Sequence, residues 1–165
     1  SARKHDGCCL FINLHVVEKQ IIGRTDKVDF PRLGFNDIDV KIDTGAYTSS
    51  IHCAHIREEG DELHCTFLDA QHPSYNGLPM VFKEFDITAV RSSNGEIQYR
   101  YVVQSNIRVY GKVFKITLTL SSRDDMRFPV LLGRKFLTKK FIVDTELTDV
   151  SYNLKINENK DLIEK

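Results

Sequence analysis

Asp43 stands in the run Asp43-Thr44-Gly45-Ala46, directly after Ile38, Val40 and Ile42. The three aliphatics alternate with Asp39 and Lys41, the two-residue period of a strand with one face in the core. A carboxylate delivered at the end of such a strand lies near apolar surroundings and needs hydrogen-bond donors to stay ionised. The following residues offer them: the N–H groups of Gly45 and Ala46 and the hydroxyls of Thr44 and Ser49. A carboxylate held in this way is suited to general-base chemistry, taking a proton from water. A plainer reading stands beside it, in which Asp43 caps a turn and Gly45 supplies a positive φ.

A second segment lies far downstream. In residues 128–137, Val130, Leu131 and Leu132 form a branched run that ends at Gly133, and a short basic helix is expected over residues 134–140. The acid loop followed by two aliphatics, Gly133-Arg134 and a short helix resembles the retropepsin-like aspartic peptidases. The likeness is closer to the bacterial branch named ATP-dependent zinc proteases. Ile21-Ile22-Gly23-Arg24, Val28 and Pro31-Arg32-Leu33-Gly34 are similar to its opening. Residues 41–46 with Thr48, Ser49 and His52 continue it, then residues 90–96 with Arg100. Residues 118–123 with Met126, residues 129–134 and Val143-Asp144 complete it, so the resemblance spans residues 20–146.

The resemblance implies a mainly β, retropepsin-like closed barrel with one short C-terminal helix. It implies an aspartic endopeptidase that holds water between two carboxylates, with no metal and no other cofactor. Only one Asp-Thr-Gly is present. Asp144-Thr145 is followed by Glu146, which cannot replace a glycine where backbones approach closely, so Asp144 is expected to end a barrel strand. A homodimer is therefore expected, with Asp43 from each copy meeting at a two-fold axis. Asp43, Thr44 and Gly45 are the expected catalytic residues, with Thr44 bonding across the axis. Ala46, Arg91, Arg100, Arg123 and Arg134 are the expected substrate-binding residues. The arginines either bind an acidic substrate, such as an acidic protein tail, or lock the barrel through ion pairs. Relatives associated with ATP-grasp ligases point to such a ligase as a partner, since nothing in this chain explains an ATP requirement.

Two rival readings come from other classes. A lone half-site could bind an extended peptide by strand addition without catalysis, as a peptide-binding or dimerisation module. A zinc-dependent peptidase would draw on His52, Cys53, His55, His64 and Cys65. Against zinc, the chain has no HExxH and no CxxC, and His64 and Cys65 would face opposite sides of one strand.

The surrounding elements follow the same two-residue period. Phe114, Ile116, Leu118 and Leu120 alternate with Lys115, Thr117 and Thr119. Residues 86–91 and 97–104 flank Ser92-Ser93-Asn94-Gly95, a hairpin signal in which Asn and Gly tolerate positive φ. That hairpin is a candidate flap over the site. Tyr110-Gly111-Lys112 marks another hairpin, and strands are expected over residues 20–24, 38–42, 63–68 and 130–132. A helical turn is expected around residues 50–56, a loop over 69–80 and a fraying charged tail over 155–165. Residues 1–18 read as an arm or extra strand before a single domain over residues 19–154.

Acidic and basic residues balance at 23 each, so nothing in the composition suggests a nucleic-acid surface and no nucleic-acid partner is expected. No apolar run reaches the roughly 18 residues of a membrane span, so no membrane association is expected. Four cysteines, two of them adjacent, do not form a disulfide framework, and a reducing cytoplasm fits them.

Overall fold

The computed structural model describes residues 18–92, 94–122 and 127–163. The expected Arg123, and the segment before residue 18, lie outside the described residues.

Strands β1 (Gln20–Ile22), β2 (Thr25–Phe30) and β3 (Phe35–Ile42) open the domain. β4 (Ser49–Glu59), β5 (Glu62–Phe67) and β6 (Met80–Phe82) follow, then β7 (Asp86–Arg91), β8 (Ile97–Val109) and β9 (Lys112–Ser121). β10 (Val130–Leu132), helix α1 (Arg134–Leu137), β11 (Phe141–Val143) and helix α2 (Val150–Ile163) complete it. Six strands run in the order β10-β3-β2-β8-β9-β4, and β10 pairs again with β4 to close a barrel. Closure removes the unpaired edges that an open sheet would expose. Phe30, Ile38, Val40, Ile51, Ile107, Leu118, Val130 and Leu132 fill the interior.

Three features of this barrel place the site. First, β10 lies between β3, to which it is parallel, and β4, to which it is antiparallel. Residues from two distant segments thus share one patch of sheet with the acid loop. Second, β4 is longer than its barrel partners. It pairs with β9 over Ser49–His52, shifts register between Cys53 and His55, and continues outward with β5 and β6. Third, the first half of β8 pairs with β7, while its second half belongs to the barrel with β9. The β7–β8 hairpin therefore projects from the barrel beside the acid loop.

Three expectations are corrected here. The segment around residues 50–56 is extended β4, not a helical turn. Its small polar residues Ser49, Ser50 and His52 are buried because β9 and β10 pair on either side and satisfy the backbone. The charged tail is helical to Ile163. Its N-terminus is capped from afar: the buried Asp26 carboxylate accepts the N–H groups of Ser151 and Tyr152. Lys155 then reaches both Asp29 and Asp37. Asp144 does end a strand, but β11 pairs with β1 in a separate two-stranded parallel sheet outside the barrel.

Candidate active site

β3 delivers Asp43 to the barrel mouth, where the Asp43 N–H donates to the Leu132 carbonyl at 2.9 Å. The chain then turns sharply. Asp43 Oδ1 accepts the Gly45 N–H at 3.1 Å and the Ala46 N–H at 3.3 Å. Among the described residues no hydrogen bond reaches Oδ2. One oxygen thus holds the loop and the other accepts no hydrogen bond from the described residues. Asp43 is half-buried, and Thr44 and Gly45 are exposed.

Of the donors expected for Asp43, the two backbone N–H groups are in place, and neither the Thr44 nor the Ser49 hydroxyl bonds the carboxylate. Ser49 Oγ accepts the Gly133 N–H at 3.0 Å. Thr44 offers its carbonyl to Arg134 Nη1 at 2.9 Å. Gly45 does not adopt a positive φ, contrary to expectation. What restricts its position is space: an added Cβ would sit 3.3 Å from Asp43 Oδ1, tight against the oxygen the loop is built around.

Gly133 is the tighter restriction. A Cβ there would approach the Thr48 carbonyl group and the Tyr47 carbonyl oxygen to 2.7 Å. The end of β10 therefore passes flush against the descending arm of the acid loop. Two further bonds stitch them together, Arg134 N–H to the Ala46 carbonyl at 2.9 Å and Lys135 N–H to the Tyr47 carbonyl at 2.8 Å. Arg134 also lies over the Tyr47 ring, 6.0 Å from its centroid. The distant segment seen in the sequence is thus the mechanical support of the acid loop.

A cleft of about 690 Å³ opens beside this assembly. Gly45 and Ala46 form one wall, and the inward face of the β7–β8 hairpin, including Thr88, Val90 and Arg100, forms the other. Arg91, Arg100 and Arg134 all line it, so three of the expected arginines converge on one cavity. Arg100 Nη2 bonds Gln98 Oε1 at 3.1 Å on the same strand. Lys135 lines the cleft too and was missed by sequence reasoning, although its place beside Arg134 on α1 was the available signal. The hairpin tip is closed by Gly95 N–H to the Ser92 carbonyl at 3.0 Å, with Gly95 at φ 87°.

The candidate zinc ligands do not gather at this cleft. Cys53 and Cys65 are buried, and burial pushes the Cys65 thiol up to about 12. His64 turns outward toward Glu59 and Glu62. His52 is buried with neither ring nitrogen hydrogen-bonded. Among the described residues no three His, Cys, Asp or Glu side chains are grouped to hold a metal ion. Nor is any helix among them long and apolar enough to cross a membrane.

Comparison with known proteins agrees with this geometry. Residues 21–153 match the model of the RimB-like family, described as retropepsin-like aspartic endopeptidase RimB. Among curated proteins, the chain is 38% identical over 130 residues to a probable alpha-L-glutamate ligase of Shewanella halifaxensis, covering 76% of this chain and 28% of that protein. It is 33% identical over 139 residues to a probable alpha-L-glutamate ligase of Desulfotalea psychrophila, covering 79% and 29%. The chain thus spans less than a third of these curated relatives. Among solved structures, a Legionella pneumophila protein of unknown function superposes with a TM-score of 0.63 at 26% identity. That match covers 81% of this chain and 99% of the other.

Proposed function

The chain belongs to the RimB-like family of retropepsin-like aspartic endopeptidases, and from that premise we propose that it hydrolyses peptide bonds as a homodimer. The observation that carries this reading is the Asp43 loop: one carboxylate oxygen is bound by the Gly45 and Ala46 N–H groups, the other accepts no hydrogen bond among the described residues, and Gly45 and Ala46 line the cleft. Each chain has a single such loop, so the second carboxylate is the Asp43 of a second copy. Asp144 is not assigned that role, because it follows β11 of the separate β1–β11 sheet and carries Glu146 where the Asp43 loop has Gly45.

Two carboxylates that close do not both ionise, so one carries a proton. The ionised one takes a proton from the bound water as the water oxygen attacks the scissile carbonyl carbon. The protonated one donates to the carbonyl oxygen, giving a neutral gem-diol. Collapse returns that proton, breaks the C–N bond and delivers the other proton to the departing amine. In this reading Thr44, exposed in the loop, bonds across the two-fold axis; within the chain Arg134 Nη1 donates to the Thr44 carbonyl.

The substrate is assigned to acidic peptides, in keeping with Arg91, Arg100, Arg134 and Lys135 around the cleft. The relatives named as glutamate ligases support a tail bearing glutamates and a ligase as working partner. Ligation itself is assigned to that partner, since the match covers only 28% of the first relative. The test is Asp43→Asn. Cleavage of a peptide library should be abolished while the circular dichroism spectrum and sedimentation are unchanged. Cleavage that survives the substitution removes Asp43 from the reaction, and a chain that sediments only as a monomer supports the strand-addition module instead.

A further inference from the structure

A second cavity, of about 390 Å³, lies on the other side of Leu131 from the main cleft. Leu131 lines both. The remaining walls are Arg24, Thr25, Lys41, Arg127 and Phe128, so three cations surround a floor of Leu131 and Phe128. None of these lining residues is acidic. Arg24 is pinned, its Nη1 donating to the Thr145 carbonyl at 3.1 Å, while Lys41 and Arg127 are exposed.

The strand register ties this cavity to the acid. Lys41 precedes Asp43 by two residues, so both project from the same face of the chain, roughly 6.5 Å apart along it. Leu131 is the register partner of Lys41 on one side and of Ser50 on the other. That face is opposite to the one on which Val40, Ile51 and Val130 fill the core. Leu131 therefore joins this cavity to the main cleft, which Gly45 and Ala46 of the acid loop line.

We propose that Arg24, Lys41 and Arg127 form a specificity subsite for the carboxylate of a glutamate side chain next to the scissile bond. Leu131 and Phe128 take the methylenes, and the cations take the charge. The assignment rests on the peptidase reading for its position relative to the bond cleaved, and on the cavity alone for its ligand.

The test uses direct binding to full-length Asp43→Asn protein, so that no turnover is needed. Fluorescence anisotropy is measured with a labelled hexaglutamate peptide and a labelled hexaglutamine peptide. Lys41→Gln with Arg127→Gln should lower the preference for glutamate by about tenfold or more. Lys41→Glu with Arg127→Glu should reverse it toward hexalysine. Both side chains are exposed, and an unchanged melting temperature verifies the fold. A glutamate preference unchanged by both double variants overturns the subsite. Wild-type protein that cleaves nothing while the charge swap holds defeats the peptidase reading and leaves the subsite standing.

Discussion

Gly133→Ala should be among the most damaging single-atom additions in the domain, for a reason that is purely steric. Gly133 has φ −89°, which alanine adopts without strain. Its missing Cβ is what matters, since that atom would lie 2.7 Å from the Tyr47 and Thr48 carbonyl oxygens. Those are backbone atoms within the acid loop and cannot rotate away. Relief requires β10 and the loop to separate, which strains Gly133 N–H to Ser49, Arg134 N–H to Ala46 and Lys135 N–H to Tyr47. Overpacking of this kind costs about 1–3 kcal/mol, and each weakened hydrogen bond about 0.5–1.5 kcal/mol more. A loss of about 3 kcal/mol corresponds to a fall in melting temperature of roughly 6–12 °C for a chain this size. Gly60→Ala is the control, because Gly60 has φ +59° with nothing within 4 Å of its Cβ, so only its backbone conformation is penalised. That penalty is about 1 kcal/mol. Urea unfolding of both variants gives the comparison. If Gly133→Ala costs no more than Gly60→Ala, β10 does not brace the acid loop as described.

Asp26→Ala should release the N-terminus of α2 and cost about 1–2 kcal/mol, read by urea unfolding and by faster amide exchange over residues 150–155. Asp29 gives a pH signature. Burial pushes its carboxyl up, but Lys155, the Asp37 N–H and Arg108 outweigh this and hold it below the ordinary value of 3.8. A lowered acid stabilises the fold above that ordinary value and ceases to do so as pH falls through the folded value. Lys155→Met should therefore cost about 1 kcal/mol at neutral pH and progressively less in acid, and a cost independent of pH would contradict the ion pair. Alkylation with iodoacetamide followed by peptide mapping should leave Cys53 and Cys65 unmodified in the native protein, because burial raises both thiols.

The parts of this structure that local chemistry controls were open to sequence reasoning. Ile38, Val40 and Ile42 alternate because one face of β3 is buried, and Val130–Leu132 ends at Gly133 because a loop backbone lies against it. The Ser92–Gly95 and Tyr110-Gly111 turns follow from residues that accept positive φ, as Gly95, Tyr110 and Gly111 do. What escaped was imposed from elsewhere in the chain. Ser49, Ser50 and His52 form strand only because β9 and β10 pair on either side of them. α2 buries only Ser151 and so carries little amphipathic signal; its anchors, Asp26 and Asp29, lie more than a hundred positions away. The site was legible in the same uneven way. Asp43, Gly45 and Ala46 announce themselves by spacing, and Arg91, Arg100 and Arg134 by likeness to the family. Lys135, Lys41, Arg24 and Arg127 reach the cavities only through the β3-β10-β4 register.

The proposed sharing of one active site between two chains is tested most directly by mixing. Wild-type and Asp43→Asn chains are combined in varying ratio at fixed total concentration, exchanged to equilibrium, and assayed on an acidic peptide. If each site needs Asp43 from both chains, activity falls with the square of the wild-type fraction, to about one quarter at an equal mixture. Activity that falls in simple proportion, to about one half, would mean that each chain works alone and that the paired-carboxylate mechanism is wrong.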